Sequence, residues 1–169
     1  MAADFSLRVT TPDDADAVSA LLEASYTSAF AARYADHVLA AALPLMTRAN
    51  PRLLASGTYH VAESGDGVPV GCGGWTVDRP GTGEVVAGLA HIRHFGTHPD
   101  WARRGVGRAL FAQCAGEARA RGIGRFECYS SLVAEDFYRA LGFTVVERKH
   151  IELRVGIRLA GVVMAFDFA

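Results

Sequence analysis

The sequence lacks the features on which membrane-spanning, nucleic-acid-binding and disulfide-stabilised proteins depend. Its 17 Lys and Arg residues stand against 18 Asp and Glu, so a net charge of -1 offers no overall positive field to attract nucleic acid. No apolar run approaches the roughly 20 residues that span a membrane. Met1 to Thr10 show no basic start before an apolar stretch, so we expect no secretory signal. The cysteines have no CxxC spacing and are expected to be reduced, buried thiols of a cytoplasmic protein: Cys72, Cys114 and Cys128.

The residues that are present fit one globular domain over residues 1–169. Hydrophobic residues make up 50% and charged residues 21%, and no repeat or long linker interrupts the chain. The pattern predicts a first strand at Leu7 and Val9, then a helix capped by Thr11 and Asp14. The further predicted helices cover residues 33–49, with a break near Pro44, and residues 104–121 and 134–141. The further predicted strands cover residues 59–63, 68–77, 87–97 and 125–130, the stretch from 143 onward, and 162–168. This order predicts a mixed three-layer α/β domain.

A turn with two glycines joins the strand that ends at Thr97 to the helix that follows. Gly105 and Gly107 carry no side chain, so the backbone amides there can approach a ligand closely. These amides lie in the first turn of a helix, where they have no intrahelical acceptor and where the helix dipole is positive. Three arginines add positive charge: Arg103, Arg104 and Arg108. The turn therefore suits a pyrophosphate.

Two glycines before a helix are weak evidence, since a plain glycine-rich connection has the same pattern. A dinucleotide-binding turn needs a third glycine, and Leu110 stands at that position. The GK[ST] sequence of the Walker phosphate-binding loop is also absent. A Rossmann-type oxidoreductase is therefore excluded.

A second pattern decides between these interpretations. Residues 131–143 read SLVAEDFYRALGF, a short helix that Gly142 ends as a left-handed cap. Together, the segments Ala102–Gly107 and Ala134–Phe143 resemble the two signatures of the GCN5-related N-acetyltransferase (GNAT) family, [Q/R]-x-x-G-x-[G/A] and A-x-x-F-Y-x-x-L-G-F. They lie within residues 90–143, about a third of the chain, and are separated by one strand, the spacing that this family has.

The resemblance implies a fold and an activity. The fold is the GNAT-type α/β domain, a mixed, mostly antiparallel sheet of six to seven strands with about four helices and a cofactor cleft between the splayed strands 4 and 5. The activity is transfer of the acetyl group from acetyl-CoA to a primary amine of a small molecule or protein, by direct attack and with coenzyme A as product. The partner is then a small-molecule or peptide amine, with neither nucleic acid nor a membrane, and a homodimer is compatible with the resemblance because many members of the family dimerise.

The resemblance also assigns roles to individual residues. The backbone of Phe95, Gly96 and Thr97 pairs with the pantetheine arm, and Tyr138 protonates the leaving thiolate. The remaining cofactor-binding positions are Arg103, Arg104, Gly105, Val106, Gly107, Arg108, Ser131, Ala134 and Phe137. Two positions depart from the family pattern. Ala102 replaces Gln or Arg at the start of the first motif, and Ser131 stands where an Asn is common.

The catalytic base is less clearly marked. Counting back from the strand end to the position of the family's strand-four glutamate gives His91, and a histidine titrates in the required range. The alternative is a histidine that merely lies on one face of the sheet. His94 and His98 are close in sequence, but strand geometry does not bring the three imidazoles together, so no metal is expected. Cys128 has no paired base in the motif and is expected to be structural.

The identity of the acceptor amine is not encoded in any recognisable motif. Arg93 shares strand parity with His91 and suits an acidic group on the acceptor or a solvated position. Three aromatic residues could line the acceptor pocket or belong to the core: Trp75, Trp101 and Tyr129. The helix over 33–49 could likewise be a wall of the acceptor site or a packing helix. A catalytically silent module that binds acyl-CoA on the same fold is the alternative to an enzyme.

Overall fold

The computed structural model describes residues 4–169. Its strands are β1 (Phe5–Val9), β2 (Tyr59–Ser64), β3 (Pro69–Thr76), β4 (Leu89–Thr97), β5 (Arg125–Ser131), β6 (Thr144–Arg154) and β7 (Ile157–Asp167). Its α-helices are α1 (Ala15–Phe30), α2 (Asp36–Met46), α3 (Pro51–Leu54), α4 (Val106–Ala120) and α5 (Glu135–Leu141). Within this described part, no helix has the length and hydropathy that crossing a bilayer requires.

The seven strands form one sheet in the order β1-β2-β3-β4-β5-β7-β6. All neighbouring strands pair antiparallel except β4 and β5, which pair parallel. This confirms the predicted GNAT-type α/β fold with a mixed, mostly antiparallel sheet. The described residues form five α-helices rather than about four, because a single turn, α3, is separate from α2. Asn50 starts α3 by accepting a hydrogen bond from the Arg52 amide at 3.0 Å.

The predicted break near Pro44 is wrong, since α2 continues through this residue to Met46. Proline removes one backbone donor, here the one that would bond the Ala40 carbonyl, and only Leu45 and Met46 of the helix follow it. The turn then closes at Thr47, whose amide donates to the Leu43 carbonyl at 2.9 Å. At the start of α1, the predicted Thr11–Asp14 cap is present. The Thr11 amide donates to the Asp14 carboxylate at 2.8 Å, and a short 3-10 turn precedes the α-helix.

The sheet separates two layers of helices. One hydrophobic core packs α4 and α5 against the sheet and contains Trp75, Phe111 and Phe126. A second core packs α1 and α3 against β2 and β3. All three cysteines are buried, as predicted. The tight packing of β3 also explains its glycines, because a Cβ atom on Gly74 would lie 2.5 Å from the Thr58 carbonyl oxygen.

The parallel pair β4–β5 is short and opens at one end. The pairing runs only from Leu89–Arg125 to His91–Glu127, while β5 remains paired with β7 up to Ser131. Just beyond this point β4 bulges, with a register shift against β3 and with His94 at a φ of 44°. The two central strands therefore diverge and leave a cleft in the middle of the sheet.

Candidate active site

A cavity of about 670 Å³ occupies the cleft between β4 and β5. Its wall includes β4 from Ile92 to Thr97 and β5 from Cys128 to Ser131. The rest of the wall comes from helices α1, α2, α4 and α5, strand β6 and the loop at Pro80 and Gly81. Chain segments that lie far apart in the sequence thus meet where β4 and β5 no longer pair.

The first turn of α4 borders this cavity and offers a row of backbone donors. Gly105 precedes the helix in the left-handed conformation, with a φ of 84°, which a residue with a side chain adopts only with strain. No acceptor within residues 4–169 receives a hydrogen bond from the amides of residues 103–108. Such a row of amides at a helix N-terminus fits the pyrophosphate of coenzyme A.

The arginines near this turn differ in their surroundings. Arg104 pairs with Asp4 at 3.0 Å, and its guanidinium carbon lies 3.9 Å from the centre of the Trp101 ring. Arg103 and Arg108 are exposed and form no ion pair with any other residue of the described chain. Arg103 and Arg108 are therefore available for an anion, whereas Arg104 already has partners.

Two hydroxyl groups of α1 hold the end of β4, and sequence reasoning did not identify either of them. The Tyr26 hydroxyl donates to the Phe95 carbonyl at 2.7 Å, and the Thr97 amide donates to Ser25 Oγ at 3.2 Å. Two of the backbone groups predicted to face the pantetheine arm therefore have side-chain partners. A serine and a tyrosine in a helix carry no sequence signal for this role, because the contact depends on how α1 lies on the sheet.

Tyr138 lines the cavity from α5 and is 5% exposed. Its ring packs against Phe137, Phe95 and Phe143, with centroid separations of 5.1, 6.4 and 5.2 Å. Burial, together with the neighbouring Cys128 thiol, raises the pKa of Tyr138 well above its ordinary value of 10. The phenol is therefore protonated throughout the neutral range and can act as a proton donor.

Helices α4 and α5 approach each other closely at Gly107. A Cβ atom on Gly107 would lie 2.9 Å from the Phe137 ring. The glycine therefore serves the packing of the two helices as well as access to the backbone. On the other side of α5, Ser131 Oγ accepts a hydrogen bond from the Ala134 amide at 3.2 Å, and both residues line the cavity. Ser131 thus organises the start of the tyrosine helix.

The two β4 histidines differ in position. His91 is 2% exposed and lies outside the lining of the cavity. Burial and the nearby Arg79 lower the pKa of His91 below its usual range. His94, at the bulge, does line the cavity, and burial lowers its pKa to about 4. The structure thus places Tyr138 in the cavity wall. His91 is next in sequence to Ile92, which lines the cavity, but does not line it itself, so the base role of His91 stays a prediction.

The three aromatic residues considered for the acceptor pocket differ in whether they line the cavity. Tyr129 lines the cavity, whereas Trp75 is 1% exposed and belongs to the α4-side core. Trp101 packs edge-to-face with Phe5 and against the Arg104 guanidinium, and it is not part of the cavity lining. The cavity wall further contains Lys149, on β6, which sequence reasoning did not identify. Its strand is an edge strand that is exposed throughout residues 146–150, and such a pattern does not mark one lysine as special.

A family model described as an acetyltransferase (GNAT) domain matches residues 55–145, which is more than half of the chain. The chain belongs to the GNAT acetyltransferase family. The matched region runs from the start of β2 through α5, so this GNAT domain includes both walls of the cleft and Tyr138. No protein of curated function matches the sequence significantly.

Solved structures of similar fold cover nearly the whole GNAT chain. A GCN5-related N-acetyltransferase of Rhodopseudomonas palustris is 25% identical, with a TM-score of 0.74 and coverage of 96% of this chain and 95% of that one. The PaiA N-acetyltransferase of Thermoplasma acidophilum, solved in complex with coenzyme A, is 14% identical, with a TM-score of 0.75 and coverage of 99% and 100%. The ribosomal-protein-S18-alanine N-acetyltransferase of Escherichia coli is 17% identical, with a TM-score of 0.62 and coverage of 96% and 93%. At these identities, the second and third structures show the fold alone.

Proposed function

We propose that this protein is an acetyl-CoA-dependent N-acetyltransferase that acts on a primary amine of a small molecule or protein. The observation that carries the proposal is the cleft between β4 and β5, which places the free amides of α4 and the buried phenol of Tyr138 on one cavity. Membership of the GNAT acetyltransferase family supports the same reaction class.

The cofactor would lie along the cleft. The amides of residues 103–108 would bind its pyrophosphate, with Arg103 and Arg108 adding charge. The backbone of β4 around Phe95 and Gly96, which lines the cavity, would run beside the pantetheine arm. When bound, acetyl-CoA supplies an activated acetyl group as a thioester.

The chain's own groups would then serve a direct transfer. The acceptor nitrogen forms a bond to the acetyl carbonyl carbon, and the carbon–sulfur bond breaks. The amine loses a proton to a base, and the leaving sulfur gains one from the Tyr138 hydroxyl. Backbone amides at the β4 bulge would polarise the carbonyl. The reaction needs no covalent enzyme intermediate.

We assign the base to His91, directly or through a water relay. His91 lies on β4 next to Ile92, which lines the cavity. Its lowered pKa keeps the imidazole neutral at neutral pH. A neutral imidazole can accept the proton that the ammonium form of the acceptor must lose before attack.

A catalytically silent acyl-CoA-binding module is the second candidate. The observation that favours it is the position of His91 outside the cavity lining, on a strand that contains no Asp or Glu. The deciding experiment supplies acetyl-CoA and a panel of primary amines to the purified protein and follows thiol release. Release that depends on an amine supports the transferase. Tight binding of coenzyme A without release for any amine supports the module.

A further inference from the structure

The cavity extends beyond its cofactor end, to the sheet face that α1 and α2 cover. Arg93 on β4 and Tyr129 on β5 each lie two residues beyond the last paired residues, His91 and Glu127. Side chains alternate along a strand, so Arg93 and Tyr129 project from the same face as that pair. They therefore face each other across the mouth of the cleft, and both line the cavity.

The Arg93 guanidinium keeps donors free for a ligand, although most of its side chain is buried. Its side chain is 14% exposed, and its recorded polar partners are the Thr76 hydroxyl, at 2.9 Å, and the Asp78 carboxylate, at 3.8 Å. A guanidinium has five N–H donors in a planar fork, and one hydrogen bond leaves most of them free. Asp78 lies beyond hydrogen-bond distance and is itself 43% exposed, so it offsets the charge only in part.

A second cation stands on the opposite wall. The Lys149 ammonium lies 5.6 Å from the centre of the Tyr129 ring, which is within reach of a cation–π interaction. Within residues 4–169, no carboxylate lies within 4.0 Å of this ammonium. Lys149 thus lies against Tyr129, and Arg93 lines the same cavity from β4.

Neighbouring carboxylates do not neutralise the positive charges of Arg93 and Lys149. Arg79 pairs with Glu127 at 3.4 Å and donates to the Tyr129 hydroxyl at 3.2 Å. Glu84 lies 3.2 Å from its Nε, which forms no hydrogen bond within the described residues. Glu127 is therefore already paired. Glu152 also lines the cavity, but it stands an odd number of positions from Lys149 along β6 and projects from the other face.

We propose that the acceptor amine also carries a carboxylate, which Arg93 binds through its guanidinium fork and Lys149 attracts by charge. A guanidinium fork matches the two oxygens of a carboxylate, and such bonds are about twice as strong as neutral ones. The nearby wall from α1 and α2 is apolar, with Ala29, Phe30 and Met46, and accommodates a hydrophobic side chain on the same molecule. The inference rests on the proposed function, because it names the class of acceptor.

The test compares acids with their carboxamides. The substrates are L-phenylalanine and the dipeptide Gly-Phe, and each is compared with its own C-terminal amide. The two acids differ in the distance between amine and carboxylate, so they distinguish a site for a free amino acid from a site for a peptide. An amide lowers the pKa of the nearby amine, so amine reactivity alone favours the amides. We expect kcat/KM to favour at least one acid by tenfold or more. Arg93→Gln and Lys149→Gln should each reduce this preference severalfold, and Arg93→Lys should keep part of it.

Arg154→Gln is the matched control, because Arg154 is an exposed cation on β6 outside the cavity lining. This variant should keep the acid preference. A wild-type preference for the amides, or an acid preference that survives both Arg93→Gln and Lys149→Gln, would overturn the proposal.

A binding measurement separates this proposal from the proposed function. Calorimetry on protein saturated with coenzyme A would compare N-acetyl-L-phenylalanine and N-acetyl-Gly-Phe with their carboxamides. Tighter binding of an acid, lost in Arg93→Gln, supports the carboxylate site even if no amine is acetylated, in which case the transferase proposal alone fails. Equal or undetectable binding of all four, with no acid preference in turnover, would overturn the carboxylate site.

Discussion

The Tyr26 hydroxyl donates a hydrogen bond of 2.7 Å to the Phe95 carbonyl, and this bond ties α1 to the splayed end of β4. Phe95 follows the bulge at which β4 leaves β5, so its carbonyl has no strand partner on that side. The bond therefore fixes the wall of the cleft at the point where the pantetheine arm is proposed to lie.

Removing this hydroxyl should loosen the cleft more than the fold. Tyr26→Phe keeps the stacking with Phe30 but leaves the Phe95 carbonyl without its donor. We expect the free energy of unfolding to fall by about 1 kcal/mol and the KM for acetyl-CoA to rise severalfold. Urea unfolding and initial-rate kinetics measure the two effects. A destabilised protein with an unchanged KM would show that the bond does not position β4 for the cofactor.

Tyr138→Phe tests the proton donor. The ring and its packing are retained, while the hydroxyl that would protonate the thiolate is removed. General acid catalysis contributes about 100-fold or more, so kcat should fall by that order with little change in the Kd for coenzyme A. Tyr34→Phe, which removes a tyrosine hydroxyl outside the cavity lining, is the control and should keep most of the turnover. Unchanged turnover in Tyr138→Phe would remove this residue from the mechanism.

The pH dependence of the rate distinguishes the two β4 histidines. A base with a lowered pKa stays neutral until the pH falls below its ordinary value of 6.5, so activity should decline only on the acidic side of that value. We expect His91→Gln to lower kcat and to abolish this acidic limb. His94→Gln should retain it. An acidic limb that persists in His91→Gln would reject His91, and its loss in His94→Gln would transfer the role.

Gly107→Ala and Gly116→Ala are a matched pair on α4. A Cβ atom at Gly107 would lie 2.9 Å from the Phe137 ring, whereas a Cβ at Gly116 has nothing within 4 Å. We expect Gly107→Ala to displace Phe137 and weaken coenzyme A binding at least severalfold. Gly116→Ala should stabilise the protein by about 0.5–1 kcal/mol, since alanine favours a helix. Thermal unfolding and calorimetry would record both, and equal coenzyme A affinity in the two variants would contradict the packing argument.

The carboxylate of Glu117 anchors α4 to the sheet and should make the protein sensitive to acid. It accepts hydrogen bonds from the Trp75 indole at 3.0 Å and the Gln113 amide at 3.0 Å, and it contacts the His60 ring at 2.8 Å. Burial by itself raises the pKa of Glu117, but these partners outweigh it and hold the pKa below its ordinary value of 4.5. Its contribution to stability is therefore complete above that value and is lost as the pH falls through the lower, folded-state pKa.

Glu117→Gln should lower the free energy of unfolding by about 1–3 kcal/mol at pH 7, as expected for hydrogen bonds to a charged group. The difference from the wild type should shrink as the pH is lowered below about 4. Glu23→Gln, at an exposed position on α1, is the control. A difference that does not depend on pH would show that the charge of Glu117 contributes nothing.

The elements that the sequence predicted well are those with local causes. The α1 cap needs only Thr11 and Asp14, and the end of α5 needs only Gly142, whose φ is 105°. One error also comes from reasoning about a single residue. Proline usually breaks a helix, so a break was predicted near Pro44, but α2 continues to Met46. Long-range contacts have no local signature in the sequence and were not predicted. Examples are the hydrogen bonds that the α1 hydroxyls of Tyr26 and Ser25 form with the backbone of β4.

By itself, the sequence determined the family, the order of strands and helices and the two segments on which the proposed cofactor site rests. It could do so because left-handed glycines, helix caps and alternating apolar residues act through neighbours in the chain. Only the tertiary structure decided which side chains share the cavity. The divergence of β4 from β5 brings Arg93, Tyr129 and Lys149 together and leaves His91 outside the lining, because strand pairing between distant segments fixes those positions.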